Sequence, residues 1–410
     1  MIRRLGNAIL ATGSSQIFWY LSLPFIGKLY SQEDIGLYSQ VAAYAATIGL
    51  IIGARSDLAV LTSPSWKTGV TRKAFEKLAA VLILPVGVVS LLIGYLSGNK
   101  VLELPLVLAV LAGGCLSNLF LLNGVSLVKA ADYSSLRNSG LLRSISQAVA
   151  QLSMSIFGLW GLIGGKFLGD VLGVVIRKNK LPQERKIQHK WSPWVFQARE
   201  WAVIKRNAPA FKYSLPQSVI SSATQNAPYF LLPIALLPAE MGQFAMAFTL
   251  VISPVGLIGA PIRQTFMAHF SARAIDHAQG SNLLITSTTL LLVAGITGYA
   301  ALYMIAPHAI LLAFGTSWAE MTDYVRVLAG WSAIGVASIP AVAYLLSYER
   351  NRLHLKLEVL TGIGRVAALL AGILYLDGWR VLVPFVLISI LFSLVTIGCA
   401  FSHMRQEARR

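Results

Sequence analysis

The sequence predicts an all-α polytopic membrane protein, with about twelve transmembrane helices in two six-helix lobes related by a parallel repeat. Three observations lead to that fold class. The first is the solvent the chain is written for: 56% of residues are apolar, only 12% are charged and mean hydropathy is +0.66, whereas soluble domains carry about 25% charged residues. The second is a recurrence of apolar runs of roughly 17 to 25 residues, the length that crosses a hydrocarbon layer about 30 Å thick. The third is a repeat 206 positions apart. Asp34-Ile35-Gly36-Leu37-Tyr38 opens a segment that closes on Ile52-Gly53-Ala54, and Glu240-Met241-Gly242-Gln243-Phe244 opens another that closes on Ile258-Gly259-Ala260.

The spans fall at about 6–27, 35–54, 78–97, 104–127, 141–158, 160–176, 213–236, 242–262, 282–305, 325–346, 353–375 and 380–401. The first follows Arg3-Arg4 and is long enough to remain as a helix, so no cleaved signal is expected. The fifth and sixth are divided at Gly158-Leu159-Trp160-Gly161. The seventh is unusually polar and contains Pro228. Continuous apolar runs, without the alternation a barrel strand needs, exclude a transmembrane β-barrel. Cys115 and Cys399 both lie inside apolar segments, so two buried thiols and no disulfide framework are expected.

Orientation follows from Lys and Arg. Of the 34, 28 fall in the termini and alternate loops that this reading places inside. Lys28, Lys100 and Arg380 lie in the outer turns, and Lys166, Arg326 and Arg365 lie within spans. Both termini are therefore expected in the cytoplasm of a multi-pass protein. The net charge of +17 is a topology signal and a handle on anionic membrane lipids, and it does not indicate nucleic-acid binding. Every outer turn is short, which disfavours enzymes that need a sizeable external domain.

The longest polar stretch divides the chain. The expected organisation is a six-helix lobe over 1–176, a basic cytoplasmic linker over 177–212, a second six-helix lobe over 213–401 and a basic tail over 402–410. The linker carries ten basic residues against Glu184 and Glu200, interleaved with Trp191, Trp194, Phe196 and Trp201. A helix from about Val195 to Ile204 would lie in the headgroup layer, although a solvated linker fits the same charge. Six helices on either side place both halves in the same orientation, a construction many transporters share.

Loose motifs then accumulate in order. They are Leu23-Pro24, Leu29-Tyr30-Ser31-Gln32-Glu33-Asp34-Ile35-Gly36-Leu37-Tyr38, Arg55-Ser56-Asp57-Leu58-Ala59-Val60, Gly161-Leu162-Ile163-Gly164-Gly165 and Gly169-Asp170. In the second half come Gly242-Gln243-Phe244, Pro254-Val255-Gly256-Leu257-Ile258-Gly259-Ala260 and Gln264-Thr265-Phe266. Together they resemble the polysaccharide-export branch of the multidrug/oligosaccharidyl-lipid/polysaccharide exporter superfamily, and most resemble the O-antigen (Wzx-type) flippases. Asp57, where related chains more often carry Glu, and Lys166 depart from that pattern. The resemblance implies transfer of undecaprenyl-diphosphate-linked oligosaccharide repeat units between leaflets for surface polysaccharide biosynthesis, as in lipopolysaccharide O-antigen or capsule. It implies a bacterial cytoplasmic (inner) membrane, alternating access of two lobes, and a glycan polymerase with its chain-length machinery as partners. It also implies that the opening helices of each half line the central cavity.

Ionisable residues inside a bilayer cost a few kcal/mol or more, so they usually face a wet cavity or a partner. Arg365 sits mid-span with Glu358 seven residues earlier on the same helical face, which fits either a diphosphate ligand or a salt bridge. Lys166 and Asp170 are four apart and should pair, structurally or as a coupling or gating element. Arg326 is explained by snorkelling. The repeat puts Arg263 in the place of Asp57, so Arg55 and Arg263 end corresponding helices and would form a cationic rim; topology alone would also put arginines there. In the seventh segment Gln217, Ser221, Thr224 and Gln225 share a face, followed by Asn226. They suit a glycan-binding wall or plain helix–helix contact. Gln16 does similar work in the first segment.

No nucleophile motif, catalytic residue, cofactor loop or metal-ligand spacing is found; His269 and His277, eight apart, are too wide for a helical pair. Without an ATPase module, energy has to come from an ion gradient, from cargo consumption or from a partner, and Asp57, Asp170 and Glu358 are the carboxylates to test for proton or sodium coupling. Two other functions stay open: a cation-coupled small-molecule or drug exporter of the same superfamily, and a membrane-embedded glycan polymerase or ligase.

Overall fold

The structure, a computed structural model, describes residues 18–64, 68–97, 103–181, 196–207, 212, 214–272, 277–347 and 351–407. In chain order the helices are α1 over 18–29, α2 (Gln32–Gly53), α3 (Ser56–Thr62), α4 (Thr68–Ser97), α5 (Leu104–Lys129), α6 (Tyr133–Ser153), α7 (Leu159–Lys180) and α8 (Ala198–Arg206). They continue with α9 (Leu215–Gln225), α10 (Ala227–Leu231), α11 (Pro238–Ala272), α12 (His277–Phe314), α13 (Met321–Ser347), α14 (Asn351–Tyr375) and α15 (Leu382–Glu407). Among the described residues, eight helices are long and apolar enough to cross a membrane. The protein is an all-α, multi-pass membrane protein, and the described part of each of the twelve spans read from the sequence is largely helical.

Two local deviations have simple causes. Helix α6, which holds the fifth span, begins at Tyr133, eight residues before the apolar run, because Asp132 caps it: its carboxylate accepts the Ser135 N–H at 3.0 Å and the Ser134 hydroxyl at 2.8 Å. Hydropathy does not register a polar first turn. The seventh span is broken into α9, Asn226, α10 and the 3₁₀ turn Leu232–Ile234. The interruption lies at Asn226, two residues before Pro228. Proline disfavours helical geometry at the residue before it and lacks the N–H that would bond four residues back, so the helix gives way upstream of the ring. The cut near Gly158 holds: this residue sits at φ 52° between a 3₁₀ turn and α7.

The chain separates into two compact units. The described part of one runs over 18–30 and 37–226, and that of the other over 31–36 and 227–407. In the first, α2, α4, α5 and α7 bury Val41, Ile48, Ile52, Val107, Val110 and Ile163 in one core. A Cβ on Gly49 would lie 3.0 Å from the Gly114 carbonyl oxygen, so α2 and α5 touch backbone to backbone. In the second, α12, α13, α14 and α15 bury Leu284, Tyr344, Leu345, Leu357 and Ala400 together.

The repeat has a direct structural counterpart in that second unit. A Cβ on Gly36 would stand 2.9 Å from the Gly242 nitrogen and 3.2 Å from the Pro238 carbonyl oxygen. A Cβ on Gly242 would run into the backbone of Gln32. Gln32 and Pro238 are themselves repeat-equivalent, so the contact is reciprocal, as in a two-fold crossing.

Candidate functional site: a charged seam and a capped arginine

In the first unit, α6 and α7 form a seam built on glycine. Gly161, Gly165, Gly169 and Gly173 recur every fourth residue of α7, on one face. A Cβ at Gly165 would lie 2.6 Å from the Gln151 nitrogen, and one at Gly169 would lie 2.7 Å from the Arg143 carbonyl oxygen. The α6 backbone therefore rests against α7, the small-residue packing of membrane helices. Polar side chains fill the rest of the contact. Asp170 is fully buried and accepts Arg143 Nε at 2.6 Å and Lys166 Nζ at 2.9 Å. Arg177, 6% exposed, donates to the Phe120 carbonyl at 2.6 Å and to Ser139 Oγ at 3.0 Å. Its guanidinium carbon lies 3.3 Å from the Phe120 ring centroid, and that of Arg143 lies 4.2 Å from it. At the other end of the seam, Gln151 donates to the Leu162 carbonyl at 3.0 Å and its own carbonyl accepts the Tyr30 hydroxyl.

The pairing of Lys166 with Asp170 follows from their spacing. Arg143 and Arg177 are what sequence reasoning missed. They lie 27 and 7 residues from Asp170, and Arg143 reaches it only because the glycines let α6 approach. A polar α6 face bearing Arg143, Gln147 and Gln151 at intervals of four was the signal that could have found it.

At the end of α2 the chain breaks through two left-handed residues, Ala54 (φ 44°) and Arg55 (φ 57°). Non-glycine residues held there carry strain of about 1–3 kcal/mol. Arg55 caps the break: Nη1 donates to Ser218 Oγ of α9 at 2.9 Å, and Nη2 lies 3.7 Å from the Asp57 carboxylate. Arg55 Nε is buried without a hydrogen-bond acceptor. A second α2–α9 contact joins Thr47 to Ser222 at 3.2 Å. The polar face of the seventh span is thus divided. Ser218 and Ser222 hold α9 to this unit, while Thr224 bonds back to the Ser221 carbonyl and Gln225 to Ser221 Oγ. Asn226 bonds to the Ser222 carbonyl, Gln217 is half-buried and Gln225 is exposed. Gln16 lies outside the described residues.

In the second unit Arg365 is the central charge. Its Nε donates to Ser389 Oγ at 2.9 Å, and its guanidinium carbon lies 5.1 Å from the Trp331 centroid and 5.9 Å from that of Phe385. Trp331 and Phe385 meet at 90°, and the rings of Phe248, Phe244, Tyr229 and Tyr324 extend the cluster. Glu358 is half-buried on α14, and Arg263 is exposed on α11. Arg326 lies 4.9 Å from the Tyr303 ring and 3.7 Å from Asp323. Among the described residues no cluster of His, Cys, Asp or Glu is arranged to hold a metal ion.

Fold and site together define a polytopic helical membrane protein that carries permanent charges between its spanning helices. The profile of the polysaccharide biosynthesis protein family matches residues 78–323, more than half of the chain, so the protein belongs to that family. No curated protein matches the chain by sequence. Among solved structures, an inward-facing multidrug resistance MATE family transporter of the MOP superfamily is similar at a TM-score of 0.72 and 13% identity, over 100% of this chain and 99% of that one. The lipid II flippase MurJ, in an inward closed conformation, is similar at 0.68 and 14%, over 95% and 86%. An outward-facing MATE transporter of the MOP superfamily is similar at 0.61 and 15%, over 100% and 96%. The fold is shared with these MATE transporters and with MurJ.

Proposed function

We propose that this protein is a flippase of the cytoplasmic membrane that moves undecaprenyl-diphosphate-linked oligosaccharides from the inner to the outer leaflet for O-antigen or capsule synthesis. Membership in a polysaccharide biosynthesis family and a fold shared with MurJ, a lipid II flippase, support the reading. The observation that carries it is the charge balance of the seam. Arg143, Lys166 and Arg177 lie together among spanning helices with one paired carboxylate, Asp170, among the described residues. Three cations against one carboxylate leave the seam with net positive charge, which suits a doubly charged phosphate head on a lipid, while the glycan needs polar contacts. Arg55, with an unsatisfied buried Nε, and Arg365, with its fork held by Ser389 and two rings, extend the same chemistry. In this reading Arg55, Arg263 and Arg365 take the diphosphate. Gln16, Gln217, Ser221, Thr224, Gln225 and Asn226 take sugar hydroxyls. Asp57, Lys166, Asp170 and Glu358 couple the cycle to a proton or sodium gradient or gate it. The polyprenyl tail stays in lipid, and both termini are cytoplasmic.

The test is a strain lacking the gene, in which surface glycan and lipid-linked oligosaccharide are measured together with periplasmic accessibility. Loss of surface glycan with the oligosaccharide trapped on the inner face is expected. Single repeat units reaching the surface would establish a polymerase instead, and an unchanged glycan pool would establish export of a small molecule.

A further inference from the structure

The linker helix α8 has two unlike faces. The inner one is latched to α4. Glu200 meets Lys77 at 2.8 Å with both side chains 7% exposed, and the same carboxylate oxygen accepts the Gln197 N–H that starts the helix. Ile204 is buried, and Val203 packs against the cluster of Ala54, Ala59 and Phe75 beneath the Arg55 break. The outer face presents Arg199, Trp201, Lys205 and Arg206, all exposed. Glu200, the one acid in α8, is turned inward and matched by Lys77, so this face is purely cationic. Trp201 is 48% exposed, lies 6.1 Å from the Phe196 ring at a tilt of 57° and has Lys205 Nζ 6.0 Å from its ring.

We infer that α8 is a docking surface for anionic phospholipid headgroups. Its depth argues for lipid. Lys77 immediately precedes the apolar stretch of α4, so α8 lies where that helix leaves the hydrocarbon. There an indole prefers the interface and neighbouring cations find phosphate. A face made only for water would have no reason to present a half-exposed tryptophan beside three cations. Through Val203, headgroup binding bears on the packing that supports Arg55, which gives lipid composition a route to the α2–α3 break. The inference stands on α8 alone and is independent of the cargo.

The experiment is hydrogen exchange at residues 198–206 of the full-length protein in nanodiscs. One set is phosphatidylcholine and the other an equal mixture with phosphatidylglycerol. Exchange is expected to slow in the mixed discs. The R199Q/K205Q/R206Q variant should lose that slowing, on the order of fivefold per cation removed, with the Lys77–Glu200 latch intact. Equal exchange of the wild type in both discs would overturn the inference. So would an equal slowing by soluble polyphosphate in phosphatidylcholine discs, which would mark a general polyanion site.

Discussion

The two units solve the same problem, holding a charge inside a bilayer, in different ways. The first brings two backbones together on a row of glycines and sets Arg143, Lys166 and Arg177 around one carboxylate. The second gives Arg365 a hydrogen bond to the Ser389 hydroxyl and surrounds it with rings. The difference teaches that glycine packing allows charges to be matched by charge, because side chains from two helices can reach each other. Aromatic packing fills that space instead, so the cation is held on quadrupoles. The first arrangement should therefore depend on its single carboxylate, whereas the second should tolerate loss of one ring.

The largest expected effect is therefore at Asp170. Asp170→Ala leaves the half-buried Arg143 and Lys166 without their counter-charge and should destabilise the first unit by up to about 3 kcal/mol, read as a fall in the detergent melting temperature. The R143M/K166M/D170M variant should recover much of the loss, because it removes the carboxylate together with both cations that it pairs. If Asp170→Ala alone is harmless, the seam is hydrated and the contrast between the units fails.

Glycine substitutions come next. Gly169→Leu should separate α6 from α7 and cost at least about 1–3 kcal/mol, the usual penalty of overpacking. Gly242→Ala meets the backbone of Gln32 and should be comparably damaging. Gly335→Ala in α13, with open space where a Cβ would stand, should be neutral by the same melting assay.

Arg365 sharpens the comparison in function. Arg365→Lys keeps the charge but loses the planar fork, so surface glycan should fall while the melting temperature stays within a few degrees. Phe385→Leu should cost less stability than Asp170→Ala, because Trp331 still covers the guanidinium. An Arg365→Lys protein that supports full surface glycan would reduce this arginine to packing.

The smallest effect is at the cap of α6. The N–H and hydroxyl of Ser135, with help from Ser134, hold the Asp132 carboxyl below its usual pKa. A depressed folded pKa means the cap contributes above the unfolded value and is lost as pH falls through the folded one. Asp132→Ala should cost about 1 kcal/mol at neutral pH. Its melting-temperature difference from wild type should shrink on acidification below about pH 4.

The sequence by itself determined the membrane as solvent, the helices and their approximate bounds, the break at Gly158, the Lys166–Asp170 pair and the repeat, because each depends on hydropathy or on residues within one helix. Even the linker helix was legible from its charge and aromatic pattern. Tertiary structure alone decided that Arg143 shares Asp170, that Arg177 rests on Phe120, that Glu200 turns inward to Lys77 and that Ser389 and Trp331 hold Arg365. Each of those contacts joins different helices, or a helix and a neighbouring ring. Their register is set by how closely two backbones approach, a distance that no one-dimensional spacing contains.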